Sequence, residues 1–421
     1  MMNRGDTTFR GTGPSPANVL LHSLSIVDAV GADAVAGAVW VRDGFILAVG
    51  GEAEVRAQAD DSAVPIDLGG AYLMPGLINM HTHFSLALPG DRGSYVSSLG
   101  AHGIALYMAD GARRALHSGI TTVRCVAERD HADFALRDAI ERGLLPGPDI
   151  YTAGQALVCT GGHGHENGDT VECDGADDFA RGVRAQVKAG ADLIKVMISG
   201  GIAGEHESID TPQLTRAEME SVITTAHAWG RKVTAHAGPA SVIAEAVELG
   251  LDCVEHGYEL TPEVARAMTA AGTALVPTLI VTRCASFFDE LGVPAWMQER
   301  SLAAGPRHVE SFRMALEAGV QILVGSDMPP FWPFEGTTAV VREIEHLSAF
   351  GLGALETLRA GTIESARWLG IDHEVGTIEV GKKANLIALD HNPLDDISAL
   401  RTLRWVMKNG DIVRDDRLVV A

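Results

Sequence analysis

The sequence predicts a mixed α/β fold of the (β/α)8 type, a TIM barrel, together with a smaller β-rich part built from both ends of the chain. Between residues 73 and 326, short runs of β-forming residues alternate with stretches of helical period, which is the pattern of parallel βα units. Eight runs, the strand number of such a barrel, cover residues 73–83, 120–126, 149–154, 193–199, 232–237, 253–256, 274–279 and 322–326. Helices are predicted between them at residues 107–118, 134–142, 177–189, 215–229, 240–249 and 262–271.

Both ends of the chain have a different pattern from the middle. Short apolar runs broken by Gly and Asp predict strands at residues 19–21, 38–41 and 45–49. After a last helix at 354–369, further strands are predicted at 376–378, 385–389, 403–408 and 412–413. We therefore expect one discontinuous domain of residues 19–72 and 373–421, a barrel of residues 73–372, and a flexible polar tail of residues 1–18.

Composition excludes several classes of function. Hydrophobic residues make up 46% of the 421 residues and charged residues 21%, which is typical of a globular protein with a large core. A formal charge of −22 repels phosphate backbones and anionic membranes, so no nucleic acid or membrane partner is expected. The five cysteines form no CxxC pair, and the amino-terminal tail lacks the apolar stretch of a signal peptide. These features predict a cytoplasmic protein without a disulfide framework or a thiolate zinc site.

Polar residues stand at the carboxyl ends of the predicted strands, where barrel enzymes place catalysis. His81 and His83 end the first run, and the strand period of two points both imidazoles to one face, where they can bind one metal ion. An HxH pair alone is a weak signal, but further metal-binding residue types end the fifth, sixth and eighth runs, namely His236, His256 and Asp327. Together they predict a metal site at the end of the barrel.

Lys195 lies within the apolar fourth run, where a buried ammonium is costly unless it is paired or chemically altered. With this residue the sequence resembles the amidohydrolase superfamily, in the branch that is similar to imidazolonepropionases and includes Xaa-Pro dipeptidases. The resemblance covers nearly the whole chain. It rests on the stretches 74–83 (MPGLINMHTH), 193–201 (LIKVMISGG), 233–237 (VTAHA), 254–257 (VEHG), 325–327 (GSD) and 376–386 (GTIEVGKKANL).

The resemblance implies that the two chain ends form a small composite β-sandwich into which the barrel is inserted. It also implies a binuclear site for two divalent metal ions, zinc being expected. His81, His83 and Asp327 would hold one ion and His236 and His256 the other, with Lys195 carboxylated by CO2 as the bridging ligand. Asn79 and Asn385 stand where the family often has acidic residues, but neither is a ligand position.

The mechanism expected from such a site is attack by a water whose pKa the metal has lowered. Asp327 would accept the water proton and deliver it to the leaving nitrogen, so that it acts as both ligand and proton shuttle.

Three further places in the sequence offer candidate substrate contacts. His163 and His165 lie in a glycine-rich segment, 160–165, that follows the third run. The alternative interpretation of this segment is a surface loop without a substrate contact. Phe331 and Trp332 follow Asp327 and predict either a pocket wall or a contact within a homo-oligomer. Arg283, beyond the seventh run, is the best positional candidate for a substrate carboxylate, although a structural arginine is preferred.

The leading hypothesis for function is hydrolysis of a small-molecule, peptide-like amide: a dipeptide, an N-acyl amino acid or an aryl-amide conjugate. The alternatives are a cyclic amidase, a urea- or carbamate-type hydrolase, a deaminase, and a non-catalytic scaffold that kept the barrel. Lys195 argues against a deaminase, because deaminases of this kind usually use one metal and lack the bridging lysine. Six intact site residues oppose the scaffold.

Overall fold

A computed structural model describes residues 15–418 of the chain. Within this range the strands are β1 Asn18–Ile26, β2 Val35–Arg42, β3 Phe45–Gly50, β4 Val64–Pro75, β5 Leu77–Thr82, β6 Ile120–Cys125, β7 Asp149–Thr152, β8 Ala156–Val158, β9 Thr170–Glu172, β10 Leu193–Met197, β11 Lys232–Ala237, β12 Cys253–His256, β13 Ala274–Val276, β14 Pro333–Phe334, β15 Thr337–Thr338, β16 Leu386–Leu389, β17 Leu403–Lys408 and β18 Asp411–Asp415.

The helices of the same range are α1 Glu52–Gln58, α2 Asp91–Ser98, α3 Ala101–His117, α4 Ala132–Glu141, α5 Ala176–Ala189, α6 Arg216–Ala228, α7 Ala240–Glu248, α8 Pro262–Ala271, α9 Ala285–Leu291, α10 Ala295–Ala318, α11 Ala339–Ala349, α12 Ala354–Ala360 and α13 Ile363–Leu369. All six helices predicted between the barrel runs are present, as α3 to α8. Two of them end on glycines in the left-handed conformation, Gly190 after α5 and Gly272 after α8, where a side chain would be strained.

A seven-stranded sheet combines strands from the two ends of the chain, in the order β18-β17-β16-β4-β1-β2-β3. Strands β1 and β4 are parallel, and the other neighbours are antiparallel. Side chains from both ends, among them Val39, Leu73, Leu386 and Trp405, meet in one apolar cluster. The amino- and carboxyl-terminal strands thus share one sheet and one core. Their separation from the rest as a β-sandwich domain stays a prediction.

The central part of the chain is built from parallel strands with helices between them. Strands β5, β6 and β7 form one parallel sheet, and a second has the order β13-β12-β11-β10-β8-β9. A backbone hydrogen bond from Asp192 N to Thr152 O, at 2.8 Å, connects the two sheets. Another, from Met80 N to Val324 O at 2.7 Å, joins β5 to the run 322–326. The molecule therefore has a mixed α/β fold.

Several elements differ from their prediction for identifiable reasons. The run 322–326 is extended but makes one isolated bridge, Ile322 to Leu275, in place of a strand ladder. The helix predicted at 354–369 is two helices, α12 and α13, because Thr362 (φ −139°, ψ −97°) leaves the helical region. Residues 376 and 377 form a bend and residue 378 has no regular structure, where a strand was predicted. The longest helix, α10, was not predicted, and it contains Pro306, a residue that ordinarily interrupts a helical pattern.

Most of the predicted tail, residues 1–14, lies outside the described residues. Of the remainder, the Ser15 hydroxyl accepts a hydrogen bond from Ile412 N at 2.8 Å, and Asn18 already belongs to β1. Among residues 15–418, every helix is too short or too polar to cross a bilayer.

Candidate active site

A cavity lies at the carboxyl ends of the parallel strands. All six residues predicted as metal ligands line it: His81 on β5, His83 directly after β5, Lys195 on β10, His236 on β11, His256 on β12 and Asp327 after the extended run 322–326. Strand β5 positions the first two because Asn79 Oδ1 accepts from the backbone N–H groups of His81 and Ser326 at 3.2 Å each. The asparagine noted in the sequence thus fixes two ligand-bearing segments to each other.

Three atoms that can bind a metal ion converge at the carboxyl end of β5. Nε2 of His81 lies 3.2 Å from Nε2 of His83, and Oδ1 of Asp327 lies 3.0 and 3.1 Å from these two atoms. Partial burial would raise the pKa of Asp327, but the neighbouring His81 and His83 lower it well below its usual range, so the carboxylate is ionised. Burial alone would lower the pKa of His83, yet Asp327 raises it to about 9. The cluster therefore attracts a positive charge, either a proton or a metal cation.

The outer nitrogens of these two histidines are fixed by other partners. Nδ1 of His81 donates to Oε2 of Glu255 at 2.7 Å, and Nδ1 of His83 donates to the carbonyl oxygen of Ala127 at 2.9 Å. Burial would raise the pKa of Glu255, but Arg124 and His81 lower it below its usual range, so this carboxylate accepts the proton of Nδ1. With Nδ1 donating, the deprotonated form of each ring carries its lone pair on Nε2, at the point of convergence, where a metal cation would take the place of the proton that Asp327 favours on His83.

Glu255 belongs to a buried charged network beneath the histidines. The Arg124 guanidinium and the Thr234 hydroxyl both donate to Oε1 of Glu255. Arg124 is fully buried, donates also to Met80 O, and lies 4.6 Å over the Trp368 ring. This network holds a carboxylate ionised in the interior and orients His81 through it.

His236 and His256 form the opposite half of the histidine cluster. Nε2 of His236 donates to Gly200 O at 3.0 Å, which leaves Nδ1 with the lone pair, while Nδ1 of His256 lies 2.7 Å from Thr278 Oγ1. Burial lowers the pKa of both imidazoles well below the usual value, so both are neutral. Ligand atoms of His81, His256 and Asp327 lie within 4.8 Å of one another.

The backbone is strained at the same place. His256 (φ 66°), Thr278 (φ 49°) and Asp327 (φ 55°) all have left-handed conformations. Non-glycine residues adopt this region at a cost of about 1–3 kcal/mol, and such outliers cluster at functional sites. The Tyr258 ring stacks on His256, with centroids 5.1 Å apart and planes 6° apart, and so fixes the imidazole against this strained backbone.

Lys195 stands in the interior beside these ligands, with 1% of its surface exposed. Burial lowers the pKa of its ammonium to about 8, although the charges of Glu255 and Asp327 raise it in part. A pKa near neutrality leaves a substantial fraction of uncharged amine.

The donor set fits a divalent metal ion. Without a cation, two imidazole lone pairs and an ionised carboxylate would lie within 3.2 Å of each other and repel. Neutral imidazoles with outer nitrogens hydrogen-bonded to a carboxylate or a carbonyl are the usual surroundings of zinc-ligating histidines. The residues present therefore suit a cation that prefers nitrogen and oxygen ligands.

The remaining predicted substrate contacts are divided between the cavity and its surroundings. His163 lines the cavity; its ring stacks on His236 with centroids 4.2 Å apart, and its Nδ1 lies 2.5 Å from Glu207 Oε1. His165 is not among the lining residues, and its Nδ1 donates to Gly162 O at 2.9 Å. Arg283 also lies outside the lining, since its guanidinium donates to Thr282 Oγ1 and Gly305 O and covers the Phe350 ring.

The two aromatic residues after Asp327 are buried away from the cavity lining. Phe331 stacks on Phe84 at 6.4 Å, and Trp332 packs on Phe287 at 5.4 Å. Their exposed fractions are 5% and 1%, so within the single chain they belong to the packed core. The predicted pocket wall is formed instead by apolar residues of other segments, including Leu86, Met197, Val281, Phe288 and Met297.

Sequence reasoning missed four functional candidates. Glu255 and Arg124 lie on buried strands, and a charged residue inside an apolar run was the available signal, as it was for Lys195. Tyr258 follows His256 by two residues. Asp169 lines the cavity from a loop whose path is not evident from local pattern.

Known proteins share sequence and fold with this chain. The Amidohydrolase family profile matches residues 72–413. Ochratoxinase from Aspergillus niger is 28% identical over 415 residues, covering 89% of this chain and 82% of its own length. A crystal structure of a Xaa-Pro dipeptidase with bound methionine in the active site has a TM-score of 0.84 at 27% identity, covering 94% of this chain and all of that one. A prolidase complexed with N-methylphosphonate-L-proline also has a TM-score of 0.84, at 28% identity, with coverages of 94% and 100%.

The fold and the site together define a hydrolase that acts on carbon–nitrogen bonds. The chain belongs to the amidohydrolase family. The family membership predicted from the sequence motifs is confirmed, and a divalent metal is the cofactor that this family generally uses.

Proposed function

We propose that this protein hydrolyses a peptide-like amide bond at a binuclear metal site that holds zinc. The observation that carries the proposal is the convergence of His81 Nε2, His83 Nε2 and Asp327 Oδ1 within 3.2 Å of one another. In this arrangement His81, His83 and Asp327 would hold one ion, while His236 through Nδ1 and His256 through Nε2 would hold the other. The free lone pairs of the two latter rings support that division.

Lys195 is the bridging ligand in this proposal, as a carbamate. Its ammonium first releases a proton to solvent, and the neutral amine then attacks the carbon of CO2. A nitrogen–carbon bond forms, one carbon–oxygen π bond breaks with its electron pair moving to oxygen, and a second proton leaves the nitrogen for solvent. The pKa of about 8 favours this step, because the amine must be uncharged to attack. The product is an anion, which replaces a buried cation by a group that two metal ions stabilise.

The side chains of the cavity then divide the work of hydrolysis. A bound divalent ion supplies Lewis acidity, which polarises the scissile carbonyl and acidifies water. Asp327, ionised and partly exposed to the cavity, accepts the proton of the attacking water and returns it to the leaving nitrogen. His163, held through Nδ1 by Glu207, directs its other nitrogen toward the substrate.

The relatives and the cavity support a peptide-like substrate. Two of the similar structures are described as a Xaa-Pro dipeptidase and as a prolidase with a phosphonate–proline compound bound. The mostly apolar wall, which includes Leu88, Ile202, Phe288 and Met328, favours a substrate with an apolar group beside the amide. A dipeptide, an N-acyl amino acid or an aryl-amide conjugate satisfies both conditions.

The parallel strands form a closed eight-stranded barrel in this proposal. The support is a chain of hydrogen bonds that continues past the ends of the two parallel sheets. Asp192 N bonds to Thr152 O between β10 and β7, while Leu323 N bonds to Leu275 O and Met80 N to Val324 O. Side chains of β5, β10, β12 and β13 also share one apolar cluster, which strands on opposite sides of a barrel would form.

Replacement of Lys195 tests the metal site. Lys195→Ala should lose bound metal and lower kcat by about 10³-fold while the protein stays folded, because a bridging ligand is removed. Metal content, circular dichroism and the carbonyl ¹³C signal of protein equilibrated with labelled CO2 are the measurements. Lys188→Ala, at an exposed lysine of α5, is the matched control. Normal metal content and turnover in Lys195→Ala would contradict the bridging role.

A further inference from the structure

One carboxylate of the cavity is not used by the hydrolytic machinery. Asp169 lies on the loop between β8 and β9, lines the cavity together with His163 and Asn167, and is 5% exposed. Its Oδ1 is buried and has no hydrogen-bond partner within the described residues. Buried carboxylate oxygens are almost always paired, so an unpaired one on a residue that lines a cavity points to a ligand.

The positive groups that act on Asp169 are engaged elsewhere. Burial raises the pKa of Asp169, although the nearby His83, His163 and Arg129 lower it in part. Nε2 of His83 is directed to Asp327, Nδ1 of His163 to Glu207, and the Arg129 guanidinium donates to Val96 O at 2.8 Å. Asp169 thus has no cationic partner of its own, and an ammonium group that enters the cavity would favour its ionised form.

The other lining side chains also leave Asp169 without a positively charged partner. Among the lining residues in the described part of the chain, Lys195 is the one side chain of Lys or Arg type, and no guanidinium reaches the wall. In the carbamate form Lys195 becomes an anion as well. Apart from the positive charge that bound metal ions would bring to the strand ends, the lining therefore offers Asp169 no cationic partner and has no arginine to recognise a substrate carboxylate.

We propose that Asp169 binds the protonated amino group of the substrate. The substrate class is then an aminoacyl amide with a free, unblocked ammonium and an apolar side chain, in preference to an N-acyl amino acid. This inference rests on the proposed function and narrows it. An ammonium paired with Asp169 makes a charge-assisted hydrogen bond, and the apolar wall of Leu86, Met197 and Phe288 receives the rest of the aminoacyl group.

A pair of chromogenic substrates tests the proposal. L-leucine p-nitroanilide and its N-acetyl derivative differ in the ammonium group, and the zinc-loaded protein should favour the free amine by about 100-fold in kcat/KM. Asp169→Asn keeps the shape but removes the charge, so it should abolish most of this preference. Glu166→Gln removes a charge from the same loop at a side chain that is 65% exposed, and should preserve the preference.

A binding experiment separates this inference from the proposed function. Leucinol and N-acetylleucinol both lack the aminoacyl carbonyl at which the proposed hydrolysis takes place, and they differ in whether the amino group is free. Leucinol alone should raise the Tm of the native protein, and it should not raise the Tm of Asp169→Asn. If neither anilide is hydrolysed but leucinol still stabilises the native protein through Asp169, the proposed function fails and the ammonium site stands.

Three results would overturn the ammonium site. The first is equal or better hydrolysis of the N-acetyl substrate by the native protein, and the second is an unchanged preference in Asp169→Asn. The third is a lower Tm of unliganded Asp169→Asn, because loss of an unpaired buried charge should leave the Tm unchanged or raise it. A lower Tm would show that Asp169 has a structural partner instead.

Discussion

The two sides of the cavity differ in how completely their polar atoms are paired. At the strand ends, His81, His83 and His256 each have the outer ring nitrogen hydrogen-bonded, so that only the inward nitrogen remains for a ligand. On the loop between β8 and β9, His163 is held by Glu207, but Asp169 Oδ1 has no hydrogen-bond partner among residues 15–418. The difference teaches that the strands set the orientation of the reactive groups, while the loop leaves charge available to distinguish substrates.

The largest effect should come from the strand-end side. Asp327→Asn is expected to lower kcat by about 10³-fold, because the amide keeps the shape but loses the basic oxygen. Circular dichroism should show an intact fold. Asp411→Asn, at an exposed position of β18, is the control. Near-normal turnover with bound metal would show that another residue transfers the proton. The strand ends would then not be the side of the cavity that carries the reactive groups.

An intermediate effect is expected beneath the histidines. Glu255→Gln should lower metal affinity by about 10- to 100-fold, because the amide orients His81 less firmly than the carboxylate does. The same variant leaves Arg124 without its buried partner and should lower the free energy of unfolding by about 3–5 kcal/mol.

A double variant separates these two consequences. Arg124→Met with Glu255→Gln removes both buried charges, so the free energy of unfolding should recover in part while the metal affinity stays low. Metal titration and urea denaturation are the measurements. Recovery of metal affinity in the double variant would show that Glu255 acts on the metal site only through general stability.

The smallest effect on substrate preference is expected from the aromatic residues after Asp327. Phe331→Ala should lower the free energy of unfolding by about 3–5 kcal/mol, because the ring is packed against Phe84 and Tyr107, yet it should leave the preference between large and small substrates within about twofold. Phe288→Ala, which opens the cavity wall itself, should change that preference by about 10- to 200-fold. Equal changes in substrate preference in both variants would show that Phe331 contributes to the substrate-binding wall as Phe288 does.

How far the sequence could predict this site depends on the distance between partners along the chain. His81, His83, His236 and His256 end strands with a clear local pattern, and their common location in the cavity follows from parallel strand geometry. The direction of the Phe331 ring depends on Phe84 and Tyr107, more than 200 residues away, and no local pattern encodes that contact. Exposure was therefore expected where burial was found.

The same reasoning explains the other differences. Arg283 appeared free for a substrate because its actual acceptor, Gly305 O, lies on the unpredicted helix α10. Asp169 follows a glycine-rich segment whose course is set by turns and by contacts with Glu207 and Gln213. Charged residues inside apolar runs, such as Arg124 and Glu255, were visible in the sequence, but their pairing required the three-dimensional register of β6 and β12.

The left-handed backbone at His256 and Asp327 bears on how this protein would change over evolutionary time. Histidine and aspartate tolerate φ above zero better than most residues, but glycine and asparagine do so at lower cost. In a lineage no longer selected for hydrolysis, substitution to glycine at position 256 or asparagine at 327 would stabilise the fold while abolishing the reaction. The identity of these two residues would then serve as a marker in descendants of this chain: histidine and aspartate record continued selection for turnover, and glycine or asparagine record its loss.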